Sequence, residues 1–215
     1  MRIKKPHDYK IYIAGYFQAG KTTLIHSLDK RAFSIDKPLK ELYRGEKSTT
    51  TVGFDLGSIL WCRPNMSSSG VITNIDDYNE NTEEYKDWII NKIELKGGPG
   101  QLHFKPVREH VIKDSQGILF VIDSTDTSVI GKALTLLAES RVLLGYEIPI
   151  IIIANKQDLA EANTPEMISN IIGETTFGAS AKENYGVKEA IISLLNRIIK
   201  GEQVQTEKIP EIQEV

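Results

Sequence analysis

Residues 148–155 read IPIIIIAN, and residues 116–123 read QGILFVID. Consecutive isoleucines leave no polar side for water, so a strand made of them needs cover on both faces. Near-continuous apolar runs of this length suit parallel strands in the middle of a sheet. The sequence supplies the cover: helical patterns occupy 21–33, 129–144, 165–172 and 186–199. Further strand candidates lie at 9–15 (YKIYIAG), 51–61 (TVGFDLGSILW) and 89–95 (IINKIEL). Strands alternating with helices imply an α/β fold, a doubly wound, mostly parallel six-stranded sheet with helices on both faces. There is no internal repeat.

At 215 residues, 40% hydrophobic and 26% charged, the chain is long enough for one domain with a real core. A net charge of −3 offers no basic surface for nucleic acid. The single cysteine, Cys62, cannot form an internal disulfide and fits a reducing, cytoplasmic setting. No apolar run reaches the roughly 18 residues of a membrane span. The opening MRIKKPHDYK is too polar for a signal peptide. Arg2 stands where N-myristoylation needs glycine, and the C-terminus has no prenylation cysteine. The expectation is no direct membrane anchor, with any membrane contact made through a partner.

Two segments break the alternation. Residues 62–86, CRPNMSSSGVITNIDDYNENTEEYK, are rich in Ser, Asn and acid. They read as a partly disordered surface insertion at about 62–88 between two strands, or as a partner-docking loop. Residues 201–215 are polar and acidic and read as a flexible tail. The expected organisation is a single domain over 1–200 carrying that insertion.

Three motifs carry chemistry. GYFQAGKT (15–22) fits G-x-x-x-x-G-K-[ST] between a strand and a helix, the context that motif requires. Backbone N–H groups of such a loop curl around phosphate oxygens, and the helix N-terminus adds its positive end. The candidate phosphate contacts are Gly15, Gln18, Ala19, Gly20, Lys21, Thr22 and Thr23. Lys21 is expected at the β- and γ-phosphates, and Thr22 offers its hydroxyl to Mg²⁺. NKQD (155–158) ends the most apolar strand, on the ligand-binding edge of such a sheet. Asp158 can accept from N1–H and the exocyclic amine of guanine, a donor pair adenine lacks. Asn155 is expected to brace the phosphate loop, and Lys156 to pack along the base. SAK (Ser180, Ala181, Lys182) offers backbone N–H groups, notably that of Ala181, to the guanine O6.

With these motifs the chain resembles small GTPases of the Ras and Arf superfamily over about 9–199, the insertion apart. That is a P-loop G domain. AGKTT and NKQDL look most like the Arf branch. TVGF (51–54) resembles a switch I segment, with Thr51 matching the threonine that closes on Mg²⁺ and the γ-phosphate, and Thr50 as the fallback. GGPGQLHF (97–104) resembles switch II of the bacterial and archaeal polarity-type, gliding-motility GTPases, where a small or hydroxyl residue replaces the usual aspartate. Gly100 and Gln101 match its glycine and its water-positioning glutamine.

The resemblance implies a cytosolic GTP/GDP switch with slow Mg²⁺-dependent GTP hydrolysis. It also implies an activating partner, of roadblock type for polarity GTPases, and effectors that read the switches. Two departures bear on this. Phe17 stands at a loop position that is glycine in Ras-type members and crowds Gln101 or an arginine finger. Gly97 stands in place of the aspartate, so Mg²⁺ is expected to bind weakly in the GDP state, Asp55 being the one nearby acid able to substitute. Arg44 and Arg108 are candidate arginine fingers in cis. The alternative reading is a hydrolytically inactive guanine-nucleotide-binding scaffold, favoured by Phe17 and Gly97 and opposed by Gln101 and Thr51. A P-loop ATPase or kinase is disfavoured by Asp158.

Overall fold

The computed structural model describes residues 8–35, 53–64 and 69–207. Along the chain run β1 (Tyr9–Ala14), α1 (Lys21–Leu28), β2 (Phe33–Ser34), β3 (Asp55–Pro64), β4 (Val71–Thr73), α2 (Ile75–Glu80) and β5 (Trp88–Gly97). There follow α3 (Lys105–Val111), β6 (Gly117–Asp123), α4 (Ile130–Leu144), β7 (Ile150–Asn155), α5 (Pro165–Ile172), β8 (Thr176–Gly178) and α6 (Val187–Glu207). The sheet order is β2-β3-β5-β1-β6-β7-β8, with β4 beside β3. β5, β1, β6, β7 and β8 are parallel neighbours, and β3 runs antiparallel to β5, β2 and β4. The described residues therefore hold eight strands where six were expected. Three of them, β2, β4 and β8, were not among the named strand candidates, and at two or three residues each they are too short to carry a periodic signal.

Alternation along the central strands decides the layers. Ile11, Ile13, Leu119, Val121, Ile151 and Ile153 face α1 and α6, packing with Leu24, Ile25, Ile191 and Leu194. Tyr12, Ala14, Ile118, Phe120, Ile150 and Ile152 face the other way, onto Val111 and Ile112, Leu136 and Leu137 of α4, and Ile168 of α5. Each isoleucine pair in β7 serves both cores, which is why that strand is apolar throughout. Among the described residues no helix is long and apolar enough to cross a membrane.

Three expected boundaries are corrected. α1 ends at Leu28 rather than 33, because Asp29 turns out of helical geometry and its carboxylate accepts from the N–H groups of Arg31 and Ser58. α6 continues to Glu207, into the segment expected to be a flexible tail. Gly201 costs a helix only about 1 kcal/mol, and no proline follows until Pro210. The insertion is the largest difference, for its described part is built into the fold. β3 and β5 pair over their full lengths, through Cys62–Ile90 to Pro64–Trp88, and β4 adds to β3. Asn74 caps α2 by accepting from Asp77 N–H at 2.8 Å. Tyr85 stacks on Tyr78 with ring centroids 5.6 Å apart and meets Trp88 edge-on at 5.3 Å. With Leu60 and Cys62 these rings form a third small core. Burial, with Glu84 nearby, pushes the Cys62 thiol up to about 11, which keeps it unreactive. The polar composition hid this core because its apolar members are aromatic and widely spaced.

Tyr85→Ala is therefore expected to destabilise the protein by about 2–3 kcal/mol, read as a lower urea midpoint, since large-to-small changes in a packed aromatic cluster cost on that order. An unchanged midpoint would mean the insertion rests on the sheet without contributing to it.

Candidate nucleotide site

The phosphate-loop motif sits between β1 and α1. Gly20, the N-cap of α1, has φ 98°, and a Cβ there would lie 2.2 Å from Asn155 Nδ2. Only glycine meets both conditions. The loop opens onto a cavity of about 490 Å³, to which it contributes Phe17, Gln18, Gly20, Lys21, Thr22 and Thr23. The β3 end adds Gly53 and Asp55, the turn after β5 adds Gly98, Pro99 and Gly100, and Lys156 comes from beyond β7. The fold brings these four segments together because β1, β5 and β7 end, and β3 begins, at the same end of the sheet.

Lys21 is buried, and its Nζ donates to Tyr16 O at 3.1 Å. Desolvation pulls its pKa down to about 8, offset in part by Asp55. A cation so poorly compensated suits an anion in the cavity. Thr22 Oγ1 donates to Asp55 Oδ2 at 2.8 Å, and Ser34 Oγ donates to Asp55 Oδ1 at 2.6 Å. A hydroxyl whose proton is taken up by a carboxylate keeps its lone pairs for a cation, so Thr22 with Asp55 fits a hydrated Mg²⁺. Thr51, with Thr50 and Arg44, lies outside the described residues.

At the far end, the Asn155 carboxamide works in two directions. Nδ2 donates to Ala19 O at 2.8 Å, and Oδ1 accepts from Ala181 N–H at 2.9 Å. The Ala181 N–H, expected at a guanine O6, here donates to Asn155. Ser124 Oγ donates to Asn155 O, and Asn155 itself is buried. Lys156 has φ 70° and donates to Asp123 Oδ2. Burial pushes the Asp123 carboxyl up, but the hydrogen bonds from Lys156 and Thr125 outweigh it and hold it below the usual range. Asp158 is exposed, and the Ser180 hydroxyl holds its carboxyl low, so it stays an acceptor. Lys182 points to solvent beside Glu183.

Gly100 lies against the phosphate loop. A Cβ there would fall 2.6 Å from Phe17 N, 2.7 Å from Gly15 O and 2.7 Å from Lys21 Nζ. Gln101, one residue on, is not among the residues lining the cavity. Its carbonyl accepts from Arg108, whose guanidinium also reaches Leu102 O at 2.9 Å and Glu139 of α4 at 2.8 and 3.1 Å. Arg108 is thus buried and occupied in holding the turn to α4, which corrects its candidacy as an arginine finger. Sequence reasoning missed the Arg108–Glu139 and Lys156–Asp123 pairs. In the second, Asp123 ends β6 directly beside Asn155, so two adjacent strand ends were the available signal.

The family model for the ADP-ribosylation factor (Arf) family matches residues 73–206. The chain belongs to the Arf family. Relatives of this Arf-family chain include ADP-ribosylation factor-like protein 3 of Chlamydomonas reinhardtii, 23% identical over 91% of this chain and 93% of that one. Human ADP-ribosylation factor-like protein 4A is 25% identical over 90% of this chain and 84% of its own length. Ras-related protein Rab-21 of Bos taurus is 32% identical over 49% of this chain, and the match spans half, 50%, of that relative. The half-matched relatives leave activity, substrates and partners to be argued from the site.

Lys21 gives a pH test for this Arf-family chain. Its pKa is lower in the fold, about 8, than the ordinary 10.5. Between those values the unfolded chain binds more protons, so this group's contribution to stability rises with pH across that window. Below pH 8 the buried ammonium opposes folding of the empty protein. Lys21→Met is expected to flatten that rise in denaturant midpoint while removing phosphate affinity. A rise that persists in Lys21→Met assigns it to other groups.

Proposed function

We propose that the chain is a small GTP-binding protein that cycles between GTP and GDP states as a switch and hydrolyses GTP slowly. The observation that carries this is the Asn155 carboxamide bridging Ala19 and Ala181. It joins the phosphate loop to the Ser180–Lys182 segment beside Asp158, so one frame ties the phosphate end to the base end. Family membership and Arf-like relatives support the same reading. The proposed contacts are Gly15, Gln18, Ala19, Gly20, Lys21, Thr22, Thr23 and Gly100 at the phosphates, Thr51 in switch I, and Asn155, Lys156, Asp158, Ser180, Ala181 and Lys182 at the base end. Thr22 and Thr51 would hold Mg²⁺, which would supply charge neutralisation on the phosphates. Gln101 is the residue proposed to orient the attacking water.

The turn after β5 is what supports slow hydrolysis. Gln101 is outside the cavity wall and Phe17 is part of it. An activating partner is proposed to reposition Gln101, of roadblock type if the polarity-type resemblance holds, with effectors reading the switches in the cytoplasm. Residues 1–200 act as one G domain, with the segment around 62–88 as an elaboration of its sheet edge. The inactive-scaffold reading is favoured by the same absence of Gln101 from the cavity lining. Single-turnover assays with and without partners separate the two.

Asp158→Asn is expected to weaken GTP and GDP binding and to favour xanthine nucleotides, whose extra carbonyl needs a donor. Calorimetric titration of wild type should show GTP far ahead of ATP, and equal affinities would refute the guanine reading. Gln101→Leu should leave GTP affinity nearly intact and cut turnover about tenfold or more, the scale of one positioned catalytic group. Unchanged turnover would remove Gln101 from that role.

A further inference from the structure

We propose that Asp55 supplies the magnesium-site carboxylate that Gly97 lacks, carried on the neighbouring strand β3 instead of on β5. The proposal rests on the nucleotide-switch reading and names the group that completes its cation site. Asp55 and Gly97 are direct partners in the β3–β5 register. A Cβ on Gly97 would lie 3.0 Å from Asp55 Oδ2, 3.1 Å from Asp55 Cβ and 2.8 Å from Ile25 Cδ1. The Asp55 carboxylate therefore occupies the space into which a residue 97 side chain would grow. Gly97 is the room that carboxylate needs.

The chemistry of the contacts fits a cation site. Asp55 is buried, 5% exposed, yet lines the cavity. Oδ2 takes the Thr22 proton. A threonine that ligates a cation through oxygen has to direct its proton to an acceptor, and a carboxylate in that place also accepts from metal-bound water. Mg²⁺ keeps several waters, so a carboxylate one water away serves it without direct ligation. Oδ1 accepts from Ser34, whose hydroxyl is 2.8 Å from His26 Nε2. Contacts from α1 and β2 thus fix the carboxylate's orientation, as a positioned group requires. This revises the expectation of weak Mg²⁺ in the GDP state, which assumed that no acid filled the place.

The test is the release rate of a fluorescent GDP analogue from the full chain at stepped free Mg²⁺, set by EDTA. Wild type is expected to release about tenfold faster or more when Mg²⁺ is removed. Asp55→Asn should still bind the analogue at saturating Mg²⁺, with the Mg²⁺ midpoint raised about 10–100-fold, the usual effect of losing an outer-shell partner. The exchange Asp55→Gly/Gly97→Asp, which returns the carboxylate from the other strand and clears its space on β3, should bring the midpoint back toward wild type. If Asp55→Asn fails to fold, Gly97→Ala serves, because its methyl crowds Asp55 Oδ2 and Cβ without removing charge and should raise the midpoint. Wild-type release indifferent to EDTA, or a wild-type midpoint in Asp55→Asn or Gly97→Ala, overturns the proposal. Failure of wild type to bind the analogue at any Mg²⁺ level overturns the nucleotide reading with it, whereas tight binding with Mg²⁺-indifferent release overturns this inference alone.

Discussion

The candidate site depends on one buried carboxamide. Asn155 ends β7, and its two polar atoms point in chemically opposite senses, one donating to Ala19 O and one accepting from Ala181 N–H. Among side chains of that size only an amide carries a donor and an acceptor on two separate atoms at neutral pH. Its position is over-determined: Ser124 holds its carbonyl, and Gly20 leaves space for its amide. Because β7 is covered on both faces, the strand end cannot drift, and the phosphate loop inherits that rigidity. Net hydrogen-bond energies are modest, but leaving either buried partner unsatisfied costs about 1–3 kcal/mol, which makes the tie hard to replace.

Against this rigid frame, the turn after β5 is held by a different kind of interaction. Gly98, Pro99 and Gly100 line the cavity, while Arg108 grips the following carbonyls and anchors on Glu139. The pair is buried, so it gives little net stability but costs much if one partner is lost. It fixes the backbone where the turn ends, at the carbonyls of Gln101 and Leu102. The same segment is flanked by Asp55, which ties β3 to Thr22. Phosphate loop, β3 and the turn after β5 thus meet at one point, and a ligand there acts on all three.

The insertion shows how composition misleads. Its Ser, Asn and acidic residues suggested solvent, yet Tyr78, Tyr85 and Trp88 close a small core over Leu60 and Cys62. A few aromatic rings bury as much surface as a longer aliphatic stretch, and they leave no periodic trace.

The layered sheet, the strand–loop–helix setting of the phosphate loop and the position of NKQD were legible in the sequence, because each is written in local pattern: apolar runs, period and fixed spacing. Lys21, Thr22 and Asn155 could be named from that alone. What the sequence left open were relations between residues far apart in the chain. Asp55 and Gly97 are 42 positions apart, as their numbers give, and become neighbours only through the β3–β5 register. Arg108 looked free until the turn and α4 packed around it, and the N–H of Ala181 looked free until Asn155 reached it. Local pattern sets which elements form and where anions can dock. Only tertiary packing decides which polar groups are already satisfied, because a hydrogen bond depends on distance in space and on nothing that spacing in sequence records.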